Sequence, residues 1–167
     1  VNPQKILEHY DVWSQQKSKV KALVIYDTMW HSTEMMARAV VEGLVEQGVS
    51  AQLFDLSTNH RSDIMTEVLD AGALIIGSST LNNGMLPHMA DLLGYMKGLR
   101  PAKKIGAAFG SYGWSGEAVK LITTAMEEMK FEIFDTGIKV QYVPQDDDLK
   151  KCLDLGRKIA RTLKKQG

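Results

Sequence analysis

The sequence is short of the features that would place it in several common classes. It has a single cysteine, Cys152, so no disulfide can form within the chain. Without a secretory signal pattern at the N-terminus, that lone thiol points to a reducing compartment, the cytoplasm. No apolar run comes near the roughly 18 residues that span a bilayer. Neither sign of charge is in excess. The 20 basic and 20 acidic residues cancel, which argues against nucleic acid or an anionic membrane as partner. The four histidines, His9, His31, His60 and His88, are scattered, and no metal site is expected from them. Neither G-x4-G-K-[ST] nor G-x-G-x-x-G occurs, and there is no repeat or low-complexity tract.

What remains is a chain of 167 residues, enough for one domain with a sizeable core. Apolar runs alternate with helical patterns. Strands are expected over 20–26, 50–56, 73–77, 104–109 and 131–142, the last interrupted around Thr136 and Gly137. Helices are expected over 34–47, from Ser62 as cap to 69, over 87–99 with Pro87 in the first turn, from Ser115 as cap to 129, and over 146–165. The final helix carries acids at its start and bases at its end, as the macrodipole favours. Strand and helix in alternation imply parallel strands with right-handed crossovers. The expected fold is therefore α/β, a three-layer α/β/α sandwich on a five-stranded parallel sheet of order 2-1-3-4-5. In such sheets ligands sit beyond the carboxyl ends of the strands.

Three loops would meet there. The first, "DTMWHST", runs from Asp27 to Thr33 into a helix. A helix N-terminus offers unpaired N–H groups, and the hydroxyls of Thr28, Ser32 and Thr33 add donors. Together they suit an anion held without a lysine or arginine. Taken alone, the loop is explained as simply by a helix cap from Ser32 or Thr33. The second, "SSTLNNGMLP", supplies hydroxyls and amides at Ser79, Thr80, Asn82 and Asn83, with Gly84 permitting positive φ. The third, "GSYGWSGEAV", places Tyr112 and Trp114 among glycines that let backbone come close to a ligand. Aromatics exposed at a sheet edge suit stacking on a flat ring. One loop for a phosphate and two for a planar ring with polar edges describe flavin mononucleotide, FMN.

The stretches "YDTMWHSTEMMA", "SSTLNNGMLP" and "FGSYGWSGEAV" resemble the three FMN loops of flavodoxin-like domains. The first departs from the usual T-x-T-G-N-T form, having His31 and Ser32 where that form has Gly and Asn. The combination is similar to the flavodoxin module of flavodiiron proteins, the A-type flavoproteins that reduce oxygen or nitric oxide. The resemblance implies roles residue by residue. Thr28, Met29, Trp30, His31, Ser32 and Thr33 would hold the phosphate. Ser79, Thr80, Leu81, Asn82, Asn83 and Gly84 would line the ribityl chain and one ring edge. Ser111, Tyr112, Gly113, Trp114, Ser115 and Gly116 would cover the other side. Backbone near Asn83 and Gly84 would meet flavin N5 and tune the one-electron potentials. No residue of the chain is expected to be a general acid or base.

The same resemblance implies partners. Electrons would come from a donor such as rubredoxin or a flavin reductase. They would pass to a diiron centre in an upstream domain of the same protein, across a head-to-tail homodimer. Residues 1–18 resemble the segment leaving that domain, and read as a helix with Ile6, Leu7, Tyr10 and Trp13 on one face. The start at Val1 agrees with a processed chain or a piece of something longer. On this reading 19–167 is the FMN domain.

Alternatives are a free-standing flavodoxin, a small FMN-dependent NAD(P)H–quinone oxidoreductase, or a non-catalytic binding module of the same fold. Free flavodoxins are usually strongly acidic, which steers them to basic partners, and this chain is neutral. A receiver domain would need an acidic pair after the first strand, where Asp27 is alone. A low-molecular-weight phosphatase would need Cys-x5-Arg in the first loop, and the only cysteine lies in the last helix.

Overall fold

Apolar runs that have no polar side to turn to water fold here as inner strands covered on both faces. In the computed structural model, which describes residues 19–167, β1 (Lys19–Asp27) leads to α1 (Ser32–Glu46), then β2 (Ser50–Asp55), α2 (Arg61–Asp70) and β3 (Ala71–Ser78). A short hairpin follows, β4 (Thr80–Leu81) and β5 (Gly84–Met85), then α3 (Pro87–Leu99) and β6 (Ile105–Tyr112). The chain ends with α4 (Glu117–Glu128), β7 (Glu132–Ile133), β8 (Ile138–Gln141) and α5 (Asp146–Gln166). The expected leader helix at 1–18 lies outside the described residues.

The sheet order is β2-β1-β3-β6-β7, with β8 also paired to β6, and all these pairings are parallel. β7 pairs with the start of β6 and β8 with its end. The two pieces are the interrupted fifth strand, so the order is the one expected. Gly137 turns the chain between them at φ 94°, a conformation that favours glycine. β3 is buried along its whole length, as a central parallel strand should be.

Side chains alternate between two cores. Ala22, Val24 and Tyr26 face one core, under α1 and α5; Leu23 and Ile25 face the other, under α2, α3 and α4. The α1–α5 pair packs backbone to backbone. A Cβ on Gly43 would lie 2.0 Å from the Leu153 carbonyl oxygen, and one on Gly156 would lie 2.2 Å from that of Val40. Glycine at both positions lets the helices touch at a distance no other residue allows. That contact fixes α1, and with it the loop before α1.

Helix starts differ from the sequence expectation in three places. The N-cap of α2 is His60, whose ring accepts from the Ser62 N–H; Ser62 lies inside the helix. Gly116, not Ser115, precedes α4, and it offers no side-chain cap. α1 begins at Ser32 rather than Glu34, and neither Ser32 nor Thr33 caps it. In the last two cases the hydroxyls are engaged elsewhere or lie at the sheet edge described next. α5 carries the expected charge order, and Gln145 and Asp148 add a capping box at its start.

Candidate functional site: three loops at the carboxyl edge of the sheet

β1, β3 and β6 are adjacent, so the segments after their carboxyl ends meet. The first loop reaches α1 through His31, which stands in the left-handed region at φ 65°. For a residue with a Cβ this costs about 1–2 kcal/mol. His31 occupies the position where the common motif has glycine, which accounts for the backbone shape being kept. Its ring Nδ1 lies 2.8 Å from Glu34 Oε2. Glu34 is also bound by Arg38 at 2.7 Å. The hydrogen bonds from His31 and then Arg38 hold the Glu34 carboxyl below its usual range. Arg38 is thus occupied on the helix surface. With no side chain capping α1, its first-turn N–H groups face the loop without a protein cap. Thr28 Oγ1 is buried and has no hydrogen-bond partner.

The second loop is a two-residue hairpin. Thr80 pairs with Met85 and Leu81 with Gly84. Asn82 and Asn83 have φ 49° and 58°. Two left-handed central residues make a type I′ turn, which asparagine tolerates best after glycine. The positive φ expected at Gly84 therefore falls on the asparagines, and Gly84 is a strand residue. The hairpin is held to the third loop. Ser115 Oγ donates to Asn83 Oδ1 at 3.2 Å, and the Ala118 N–H donates to Thr80 Oγ1 at 3.4 Å. Glu117 Oε2, beside these contacts in sequence, is buried without a partner.

The third loop is closed from below by β8. The Tyr142 N–H donates to the Tyr112 carbonyl at 2.8 Å, and Gln141 Nε2 donates to the Gly113 carbonyl at 2.9 Å. Trp114 is 96% exposed and Trp30, from the first loop, 82%. Such apolar area left in water at the mouth of a cleft marks a place where something docks.

These loops enclose a cavity of about 830 Å³. Met29, Trp30 and Ser32 line it from the first loop, Ser79, Thr80, Leu81, Asn82 and Asn83 from the second, and Ser111, Tyr112, Gly113, Trp114 and Ser115 from the third. Thr28, His31, Thr33, Gly84 and Gly116 are not on its wall. Tyr142 and Val143 are, and the sequence reading missed them. They follow the fifth strand, whose carboxyl end lies beside the third loop because β8 pairs with the end of β6. Neither lysine nor arginine lines the cavity.

Behind this wall the carboxyl edge holds ionisable groups away from water. Asp27 is buried, which raises its carboxyl above the ordinary range. His88 Nδ1, 3.6 Å from Asp27 Oδ2, works in the opposite direction. Burial, and then the neighbouring Asp55 carboxylate, pushes the Tyr26 phenol up to about 12. Among the described residues no cluster of histidine, cysteine, aspartate and glutamate could hold a metal ion. His60 serves α2 and His88 approaches Asp27; His9 lies outside the described residues. Among the described residues no helix is long and apolar enough to cross a membrane.

The flavodoxin family profile matches residues 24–156, which takes in all three loops. The chain belongs to the flavodoxin family. A nitric oxide reductase from Moorella thermoacetica is 46% identical over 160 residues, covering 95% of this chain and 40% of that protein. The structure of rubredoxin oxygen:oxidoreductase from the anaerobe Desulfovibrio gigas superposes with a TM-score of 0.93 at 43% identity, over 96% of this chain and 40% of that one. A flavodiiron protein from Giardia intestinalis superposes with a TM-score of 0.90 at 30% identity, over 94% of this chain and 39% of that one. The chain spans about 40% of the length of the curated relatives it matches.

This flavodoxin domain is homologous to the FMN domain of flavodiiron proteins, and its cofactor is FMN. The residues present fit that group. The unpartnered Thr28 hydroxyl and the uncapped start of α1 are neutral donors that would suit a phosphate. The exposed indoles of Trp30 and Trp114 are faces that would suit a ring.

Proposed function

We propose that this domain carries electrons within a flavodiiron oxygen or nitric oxide reductase. Electrons enter from a donor protein such as rubredoxin or a flavin reductase. They leave to a diiron centre held by another domain, across a head-to-tail homodimer. When bound, FMN supplies the one- and two-electron chemistry. The chain's own residues bind and orient it. Thr28, Ser32 and the first-turn N–H groups of α1 take the phosphate, with Met29, Trp30 and His31 shaping that loop. Ser79 to Gly84 run along the ribityl chain and one ring edge. Ser111 to Gly116, joined by Tyr142, cover the other side.

The observation that carries this reading is a cavity whose wall has hydroxyls, amides, glycine and aromatic faces, and no lysine, arginine, histidine, aspartate or glutamate. Such a wall can hold and tune a cofactor, and it offers no carboxylate, imidazole or amine for a hydrolytic or proton-transfer reaction. The fit to about 40% of several longer relatives favours a module of a larger protein over a free-standing flavodoxin. Cytoplasmic location agrees with the single buried thiol, which burial pushes up to about 12 and so keeps unreactive.

The test has two stages. Cofactor-free domain titrated with FMN should bind one equivalent and quench its fluorescence. The loaded domain, mixed with reduced rubredoxin, should then be reduced in a concentration-dependent step followed by absorbance. Uptake of FMN without reduction by either rubredoxin or a flavin reductase would leave a flavodoxin domain and remove the proposed electron route.

A further inference from the structure

The end of the fifth strand meets the third loop through side chains as well as backbone. Successive side chains of a strand face opposite ways. Ile138 and Val140 point from β8 into the core under α1 and α5. Lys139 and Gln141 therefore point the other way, and both reach the third loop. A Cβ on Gly116 would lie 3.2 Å from Lys139 Cδ, so the lysine stem runs past that glycine. Gln141 Nε2 donates to the Gly113 carbonyl at 2.9 Å, and the next residue, Tyr142, donates its N–H to the Tyr112 carbonyl at 2.8 Å. Two successive carbonyls of the third loop are thus turned toward β8. In a trans peptide the C=O and the following N–H lie on opposite sides, and no peptide here is cis. The Gly113 and Trp114 N–H groups are therefore turned away from β8, which lies on the far side of β6 from β3. Neither N–H meets an acceptor among the described residues. Successive N–H groups turned one way make a nest for an electronegative atom, and Gly113 and Trp114 both line the cavity.

We propose that Gln141 is a positioning residue: its side-chain amide holds the Gly113 peptide so that the Trp114 N–H joins that of Gly113 in facing the polar edge of the bound ring. The proposal rests on the FMN reading. Glycine leaves its own backbone the widest choice of conformations, so Gly113 does not by itself fix the peptide that follows it. The preceding peptide is fixed through backbone, by the Tyr142 N–H, whatever the side chains are. The peptide between Gly113 and Trp114 is held by the Gln141 side chain. Without that bond the Trp114 N–H is free to turn, and a ring binding there must first order it, at a cost in affinity. Tyr142 closes the same brace. Its backbone stands in the left-handed region at φ 60°, unusual for a bulky residue. Its ring lies against Gly113, where an added Cβ would be 3.8 Å from Tyr142 Cε1. Gln141 is exposed, so its bond adds little to the fold, and its effect is expected in binding.

Riboflavin and FMN share the ring and differ in the phosphate, so a change at the ring edge moves both dissociation constants by one factor. Both constants are read by fluorescence quenching on cofactor-free protein, for wild type, Gln141→Met and Gln141→Lys. Methionine keeps the length and loses the donor; lysine keeps a donor. We expect Gln141→Met to weaken both ligands about three- to tenfold and to shift the visible absorption bands of the bound flavin. Gln141→Lys should keep the wild-type bands and the wild-type affinity for riboflavin, which carries no charge for the lysine to attract. The urea midpoint of the cofactor-free protein should stay where it is in both. Wild-type affinity and bands in Gln141→Met would overturn the proposal. A riboflavin-to-FMN ratio that moves in Gln141→Met would also overturn it, by placing the effect at the phosphate. So would a lysine variant as weak as the methionine one, or a loss of affinity that comes with a lowered urea midpoint. If Gln141→Met does not fold, Gln141→Val, which also lacks the donor, gives the same decision. Wild-type protein that binds neither ligand would instead contradict the FMN reading itself.

Discussion

The two ends of the sheet treat buried polar groups in opposite ways. At the amino end Lys104, 2% exposed, donates to the Leu69 and Ala71 carbonyls at 3.1 and 2.5 Å. It thereby closes the end of α2 against the start of β6. At the carboxyl end Thr28 and Glu117 each bury an oxygen with no partner, and two tryptophans stand in water. Unsatisfied polar atoms and wet indoles both cost stability. A fold that satisfies a buried ammonium at one end and leaves a hydroxyl and a carboxylate oxygen unpartnered at the other is arranged for a ligand at that other end. Stability and binding should therefore respond separately to changes in the two regions.

The largest effect belongs to the closed part. Gly156→Ala places a methyl against the Val40 carbonyl, which forces α1 and α5 apart. Overpacking of this kind costs about 1–3 kcal/mol and more where backbone must move. We expect a loss near the upper end, measured by urea unfolding, with the midpoint lowered. Gly43→Ala should behave alike. If either variant unfolds as the wild type does, the close helix contact is wrong.

Next comes the open part. Trp114→Ala should leave the urea midpoint of the cofactor-free domain unchanged, because the indole is 96% exposed. It should weaken FMN about tenfold or more, since stacking on an aromatic side chain is worth about 1–3 kcal/mol. A titration that shows equal affinity would break the assignment of the third loop to the ring.

A smaller effect separates the ends by pH. Burial lowers Lys104 from its ordinary value to about 8, against the pull of the nearby Asp70 carboxylate. Between pH 8 and the ordinary lysine value the unfolded chain holds a proton that the folded chain has released. Unfolding then takes up that proton, and stability rises with pH through this window. The two carbonyl acceptors favour the charged form and limit the gain. We expect about 1 kcal/mol between pH 8 and 10 in the wild type, and none in Lys104→Met, by unfolding at several pH values. FMN affinity should not follow it.

The smallest effect is at Asp27. Its folded carboxyl is raised by burial, so the folded chain holds a proton that the unfolded chain has lost. Stability is full below the ordinary carboxylate range and declines as pH rises through the raised value. Asp27→Asn should remove that decline, visible as a flatter acid limb in the midpoint of unfolding against pH.

The strand order and the three loops were legible because they rest on local pattern. The run at 71–78 is apolar on both faces, and each loop joins a strand to a helix. What escaped was what depends on neighbours distant in sequence. Nothing near Gly43 announces that Gly156 lies against its helix. Tyr142 joins the site only because β8 pairs beside β6. The caps failed for a related reason. Ser62, Ser115 and Thr33 all had good cap chemistry, yet His60 took the first role, Asn83 engaged Ser115, and Ser79 and Ser111 engaged Thr33. A hydroxyl has one proton to give, and tertiary partners compete for it. The shift of positive φ from Gly84 to Asn82 and Asn83 follows from the hairpin register, which two adjacent asparagines can satisfy.

The central claim is that the phosphate is held by amides and hydroxyls and not by a cation. Titration of FMN into the cofactor-free domain at low and at high salt tests it most directly. Neutral donors are screened little, because no counter-charge is being paired. The account predicts tight, one-to-one uptake with nearly the same dissociation constant at about 0.05 and 0.5 M salt, a span over which the Debye length shortens about threefold. Affinity that collapses at high salt, or no uptake at either, would contradict it.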